Sequence, residues 1–132
     1  TLNIQGMDVR NLPIRKDTSN REIINNIVRM CIILSKEDWD SRETSWDFKK
    51  TPLLNERGSL TQAYQNWQKE AMQDFLQLHA NEEELNRIFI DIYGLQEELT
   101  PDVALKDITI LQEELAPRNS EKKVKIISNC HF

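Results

Sequence analysis

The first side chains here that could do chemistry are two groups of cations. Lys49 and Lys50 stand in FKKTP, and Lys122, Lys123 and Lys125 follow shortly after Arg118. Such groups can take the phosphate oxygens of a nucleic-acid backbone, contacts that position a duplex without reading it. A solvated face explains them as well, and with no basic groove around them it is the simpler account. Carboxylates come next: Glu82, Glu83 and Glu84 run together, as do Glu97 and Glu98. Paired carboxylates can act as general acid and base, but these fit better as first turns of helices and as solvated faces. His79 lies on the flank of an apolar stripe, where a partly buried structural histidine is the expectation. Cys130 adjoins His131, yet two neighbouring ligands do not make a metal site. The chain has no glycine-rich phosphate loop, nucleophile elbow, HExxH or Cys/His quartet. No catalytic, cofactor-binding or metal-ligating residue is therefore expected, and Lys49, Lys50, Lys122, Lys123 and Lys125 are left as candidate phosphate contacts.

Elements of ordinary length must carry whatever these residues do. The chain has 132 residues, 39% hydrophobic and 30% charged, with three glycines and four prolines. That suits one helix-rich domain with a modest core rather than a sheet sandwich full of tight turns. The formal net charge of −5 excludes a protein that is basic overall. No apolar run is long enough to span a membrane and no signal peptide is visible. Cys31 and Cys130 form no CxxC pair, which indicates free thiols, a reducing compartment and a cytoplasmic location. The first residues, TLNIQG, lack a methionine and the last, IISNCHF, fall in mid-pattern of an apolar helix. A piece of a longer protein is the expectation.

Residues 1–14 alternate weakly and contain Gly6 and Pro13, which predicts an extended segment. SNRE at Ser19–Glu22 has the form of a capping box, opening a helix to about Lys36 with Ile23, Ile24, Ile27, Cys31 and Leu34 on one stripe. Val28, Met30, Ile32 and Ile33 make this helix apolar around much of its girth. Residues 37–58 lose the period, and Pro52 excludes a helix interior. A long ordered loop pinned by Trp39, Trp46 and Phe48 is expected there. A helix over Ser59–Ala80 carries Leu60, Tyr64, Trp67, Ala71, Phe75 and Leu78 on one face. Asn81 with Glu84 reads as a new cap, which favours a separate helix over Asn81–Tyr93, ended by Gly94 and Pro101, over one bent rod running from Ser59. DITI, Asp107–Ile110, has the look of a short strand, and a last helix is expected over 119–132. The fold class is thus mainly α: a small bundle of three to four amphipathic helices with a long ordered loop and at most short strands.

Two stretches carry more than periodicity. ETSWDFKKTPLL (Glu43–Leu54) and ELNRIFIDIYGLQEELTPDV (Glu84–Val103) together resemble a segment of large adenine-specific DNA methyltransferases. These occur in type IIS and type IIG restriction–modification enzymes and in the BREX phage-defence system. TLNIQGMDVRNLPI is similar to the stretch that closes their catalytic core, and DITI to KVKIIS to the run that follows. The family often has Arg-His where this chain has Lys50-Thr51. The NPPY motif and the cofactor-binding glycine motif of the family are not among these residues, so no catalytic residue carries over.

The resemblance implies that residues 1–14 are the tail of the preceding catalytic core and that 15–132 are a helical connector domain. Such a connector joins the core to the target-recognition region, these two being its partners, with DNA met through the parent. S-adenosylmethionine would be the cofactor of the parent and of no residue here. Methyl transfer to adenine N6, on a base flipped out of the duplex, would be the parent's reaction. A self-standing helical interaction module is the alternative, and a third reading, a small independent enzyme, has no residue constellation behind it. The apolar girth of the first helix also leads us to expect a homodimer of the isolated piece.

Overall fold

The structure, a computed structural model, describes residues 6–54 and 58–110. The described residues form a five-residue helix α1 (Gly6–Arg10) and two long helices, α2 (Arg21–Asp40) and α3 (Leu60–Tyr93). Two 3-10 turns, Pro52–Leu54 and Leu105–Asp107, complete them. Helix is thus the dominant structure, as expected, but two long helices stand where three were expected in this region. Residues 6–10 are helical where the sequence suggested an extended segment. The expected helix over 119–132 lies outside the described residues.

The break expected at Asn81 does not occur. Asn81 costs an interior helical position well under about 1 kcal/mol, and its Oδ1 accepts from Gln77 Nε2 one turn back, at 2.9 Å. Meanwhile the apolar row runs on from Leu78 to Leu85 without a change of phase. The result is one rod of 34 residues, about 50 Å long at 1.5 Å per residue. Its start is as the sequence indicates: Ser59 is the N-cap, and its hydroxyl accepts from the Gln62 amide at 3.2 Å. Its end is a Schellman motif, in which Leu95 N–H reaches Ile90 O at 3.0 Å and Gly94 N–H reaches Asp91 O at 3.2 Å. Gly94 has φ 71° and ψ 39°, the left-handed conformation that glycine adopts without penalty.

The boundaries of α2 also shift. Its N-cap is Asn20, without a side-chain capping bond, so the Ser19–Glu22 box does not form. Asp17 instead accepts from the Ser19 amide at 2.8 Å and from Asn20 Nδ2 at 2.7 Å. An ionised carboxylate two residues ahead is the stronger acceptor. At the other end α2 runs four residues past Lys36, despite acidic Glu37, Asp38 and Asp40 at the negative end of its dipole. Lys36 to Asp40 at 2.6 Å and Arg42 to Asp38 at 3.1 Å offset that cost.

Helices α2 and α3 run antiparallel. Asn20 lies by Asp91, Cys31 by Asn81 and Glu82, and Glu37 by Asp74. The chain then returns along α3, and its buried side chains close the core: Leu34 from α2, Phe75 and Leu78 from α3, and Ile108 and Ile110 from the return segment. Cys31, Trp67, Ala71, Val103 and Leu105 pack around them. Ile108 and Ile110 are buried with Thr109 exposed between them, a strand-like alternation, yet the expected strand at Asp107–Ile110 does not form. A ladder needs a second strand, and this segment lies on a helix. Nor do the tryptophans pin the loop: Trp39 ends up on α2, about half exposed, and Trp46 is fully exposed. Among the described residues no helix is long and apolar enough to cross a membrane.

Candidate functional site

Three polar side chains on one flank of α3 hold the return segment. His79, Glu83 and Asn86 are spaced at i, i+4 and i+7, which stacks them along the helix beside the buried row. His79 Nε2 lies 2.8 Å from Val103 O; a carbonyl only accepts, so this nitrogen carries the proton and donates. Glu83 Oε1 accepts from the Val103 amide at 3.2 Å and lies 3.3 Å from His79 Nε2. Both polar groups of the Val103 backbone are therefore satisfied by a helix's side chains, as a neighbouring strand would satisfy them. Asn86 Nδ2 donates to Pro101 O at 3.1 Å. The clasp fixes where the chain lies as it leaves α3.

The other end of α3 holds the incoming chain. Tyr93 Oη donates to Pro13 O at 3.0 Å and accepts from the Arg15 amide at 3.3 Å. The Arg15 guanidinium donates to Ile92 O, one of the last carbonyls of the helix, where a cation also meets the negative end of the dipole. Entry and exit are thus both tied to one rod.

The sequence reading placed His79 correctly as a partly buried structural group. It missed Glu83 and Asn86 because a break at Asn81 turned Glu82–Glu84 into a first turn. With α3 continuous these carboxylates lie in mid-helix. Glu82 is pushed above the usual carboxylate range by burial, with His79 opposing. The available signal was polar residues at helical spacing alongside an apolar row.

At the end of α2 a second cluster forms. Asp40 Oδ1 accepts from Ser45 Oγ at 2.6 Å, and Lys36 Nζ bridges Asp40 Oδ2 at 2.6 Å and Asp47 Oδ2 at 2.8 Å. The Asp47 amide donates to Ser45 Oγ at 3.1 Å. The hydrogen bond from Lys36, then that from Ser45, holds Asp40 below the usual carboxylate range, while Asp40 and then Asp47 raise Lys36. Asp40 thus contributes stability that is present above its unfolded value, near 4, and is lost as pH falls through its lower folded value. Lys36 contributes stability present below its unfolded value, near 10.4, and lost as pH rises through its higher folded one. We expect the 41–47 turn to hold across the neutral range and to open at both extremes. The Asp47 amide resonance reads this: a shift already complete between pH 5 and 6 would contradict it.

Beside this turn, Glu37, Asp38, Glu70 and Asp74 line a cleft of about 270 Å³ with Trp67 and Ile110. Burial, then Glu37, then Asp38 raises the Asp74 carboxyl. Among the described residues no group of histidine, cysteine and carboxylate side chains is placed to hold a metal. Burial likewise raises the Cys31 thiol, which keeps it protonated. Of the candidate phosphate contacts, Lys49 and Lys50 are exposed on the loop after α2, and Lys49 is close enough to Asp40 to favour its charge. Lys122, Lys123 and Lys125 lie outside the described residues. Apolar side chains also remain uncovered on α2: Val28, Ile32 and Trp39 on one flank, and Ile23, Met30 and Ile33 on the other.

No protein-family model and no solved structure matches the chain. Two curated proteins do. The adenine-specific methyltransferase PglX of Lacticaseibacillus casei (strain Zhang) is 40% identical across 100% of this chain, which spans 11% of that protein. The adenine-specific methyltransferase BrxX of Escherichia coli O9:H4 (strain HS) is 30% identical across 80% of the chain, which spans 8% of that protein. The chain therefore covers about a tenth of the length of these relatives. By sequence, it corresponds to one segment of an adenine-specific methyltransferase of the PglX and BrxX kind.

Proposed function

We propose that this chain is a non-catalytic helical connector in such a methyltransferase, holding the catalytic core and the target-recognition region at a set separation. The observation that carries the reading is the double tie to α3: Tyr93 and Ile92 hold the incoming chain, and His79, Glu83 and Asn86 hold the outgoing one. A spacer has to transmit position, and a continuous rod with both connections fastened to it does so. In the parent, methyl transfer from S-adenosylmethionine to adenine N6 of DNA belongs to regions outside this chain. The uncovered apolar flank of α2 at Ile23, Met30 and Ile33 is where those regions would rest.

A connector has no cofactor pocket of its own. Isothermal titration of the 132 residues with S-adenosylmethionine should therefore give no binding heat. Micromolar binding would place part of the cofactor site here and overturn the reading.

A further inference from the structure

We infer that the solvent face of the first half of α2, centred on Arg21, Asn25 and Arg29, is a contact surface for the phosphate backbone of duplex DNA, an inference that rests on the methyltransferase reading above. The buried side of this helix is formed by Ile24, Ile27, Cys31 and Leu34. Arg21, Asn25 and Arg29 follow one another at i, i+4 and i+8, so they form a single row on the other side. All three are exposed, and with Thr18 and Asn26 they line an open groove of about 370 Å³.

What separates these arginines from Arg15, Arg42 and Arg87 is that their side chains are uncommitted. Arg15 is tied to Ile92 O, Arg42 to Asp38 and Arg87 to Glu84. Neither the Arg21 nor the Arg29 side chain makes a hydrogen bond or ion pair among the described residues. Local charge points the same way. The whole chain has a formal charge of −5, but residues 10–29 carry Arg10, Arg15, Lys16, Arg21 and Arg29 against Asp17 and Glu22 alone. The positive end of the α2 dipole adds to this field.

The spacing fits a duplex. Eight residues of helix separate the Arg21 and Arg29 backbone positions by about 12 Å along the axis, comparable to the major groove at about 12 Å. Arg21 and Arg29 can meet phosphates on the two strands that border the groove, with the Asn25 amide between them. Such contacts position a duplex and carry no sequence information. Glu22 is the one anion lining this groove, and it weakens the contact.

The test is a titration of the 132-residue chain with a short mixed-sequence duplex, followed by amide NMR at about 50 mM salt. Shifts should centre on residues 18–29. Arg21→Gln with Arg29→Gln should weaken binding about fivefold to tenfold and flatten the plot of log affinity against log salt by about 1.8. Glu22→Gln should strengthen binding. The variants are exposed, and an unchanged dichroism spectrum confirms their fold. No shifts with the duplex, shifts centred on Lys49 and Lys50, or an unchanged salt slope in the arginine variant would each overturn the inference. Equal shifts with inorganic phosphate alone would reduce the face to an anion site and overturn it too. None of these outcomes touches the clasp at Val103, so the connector reading stands or falls separately.

Discussion

Phe75→Ala should leave the helical pair barely stable at room temperature. Phe75 is 1% exposed and lies at the centre of a core whose other buried members are Leu34, Leu78, Ile108 and Ile110. Removing a buried phenylalanine ring costs about 3–5 kcal/mol, through the lost transfer free energy and the cavity left behind. Domains are stable by about 5–15 kcal/mol, and one with so few buried side chains belongs at the low end. No second cluster exists among the described residues to take over. Phe89→Ala is the control: Phe89 is 45% exposed, and its loss should cost much less. Urea unfolding followed by dichroism reads both. A Phe75→Ala midpoint indistinguishable from that of the parent sequence would mean that the core lies elsewhere.

Ile108→Asp should act differently, freeing the return segment while the helices persist. Ile108 is fully buried, and an isolated carboxylate in that position costs several kcal/mol at least. The chain has a cheaper outcome than bearing that cost. Residues 101–110 are joined to α3 by the clasp and by Ile108 and Ile110, whereas α2 and α3 also meet each other directly through Leu34, Cys31 and Leu78. The segment should therefore lift off locally. Hydrogen exchange at the Val103 and Asp107 amides should rise by orders of magnitude, since these donate to Glu83 Oε1 and Ala104 O when the segment is seated. Helical dichroism should stay largely intact. Complete loss of helix would show that the return segment is part of one indivisible core.

Much of this was legible in the sequence, and the misses have physical causes. The row from Trp67 to Leu78, the helix start at Ser59 and the left-handed Gly94 follow from helical periodicity and C-capping chemistry, which are local. The break at Asn81 did not form, because a capping residue caps only where the apolar row also stops. Ile108 and Ile110 do alternate, yet alternation reports one buried side and says nothing about what lies on it. Trp46 is exposed where a buried ring was expected, because aromatic character alone does not specify a partner. The clasp was the least legible element. Its three side chains act on backbone groups 15 to 24 residues away, a relation that no local pattern encodes. The quoted stretch Glu84–Val103 nevertheless holds one of those side chains, Asn86, both residues whose backbone the clasp grips, Pro101 and Val103, and Tyr93 and Gly94 at the end of α3.

The central claim is that α3 fixes the separation between the incoming and the outgoing chain. Electron–electron double resonance tests it directly, with spin labels on Leu12→Cys and Thr109→Cys after Cys31→Ala and Cys130→Ser have removed the native thiols. Both labelled positions are exposed. Pro13 is tied to Tyr93, while Ile110 lies near Trp67, Ala71 and Asp74, so roughly 20 residues of helix separate the sites, or about 30 Å. A single narrow distribution near that distance, broadened by His79→Ala with Glu83→Ala, is the predicted result. A broad distribution in the chain with its clasp intact would contradict a rigid connector.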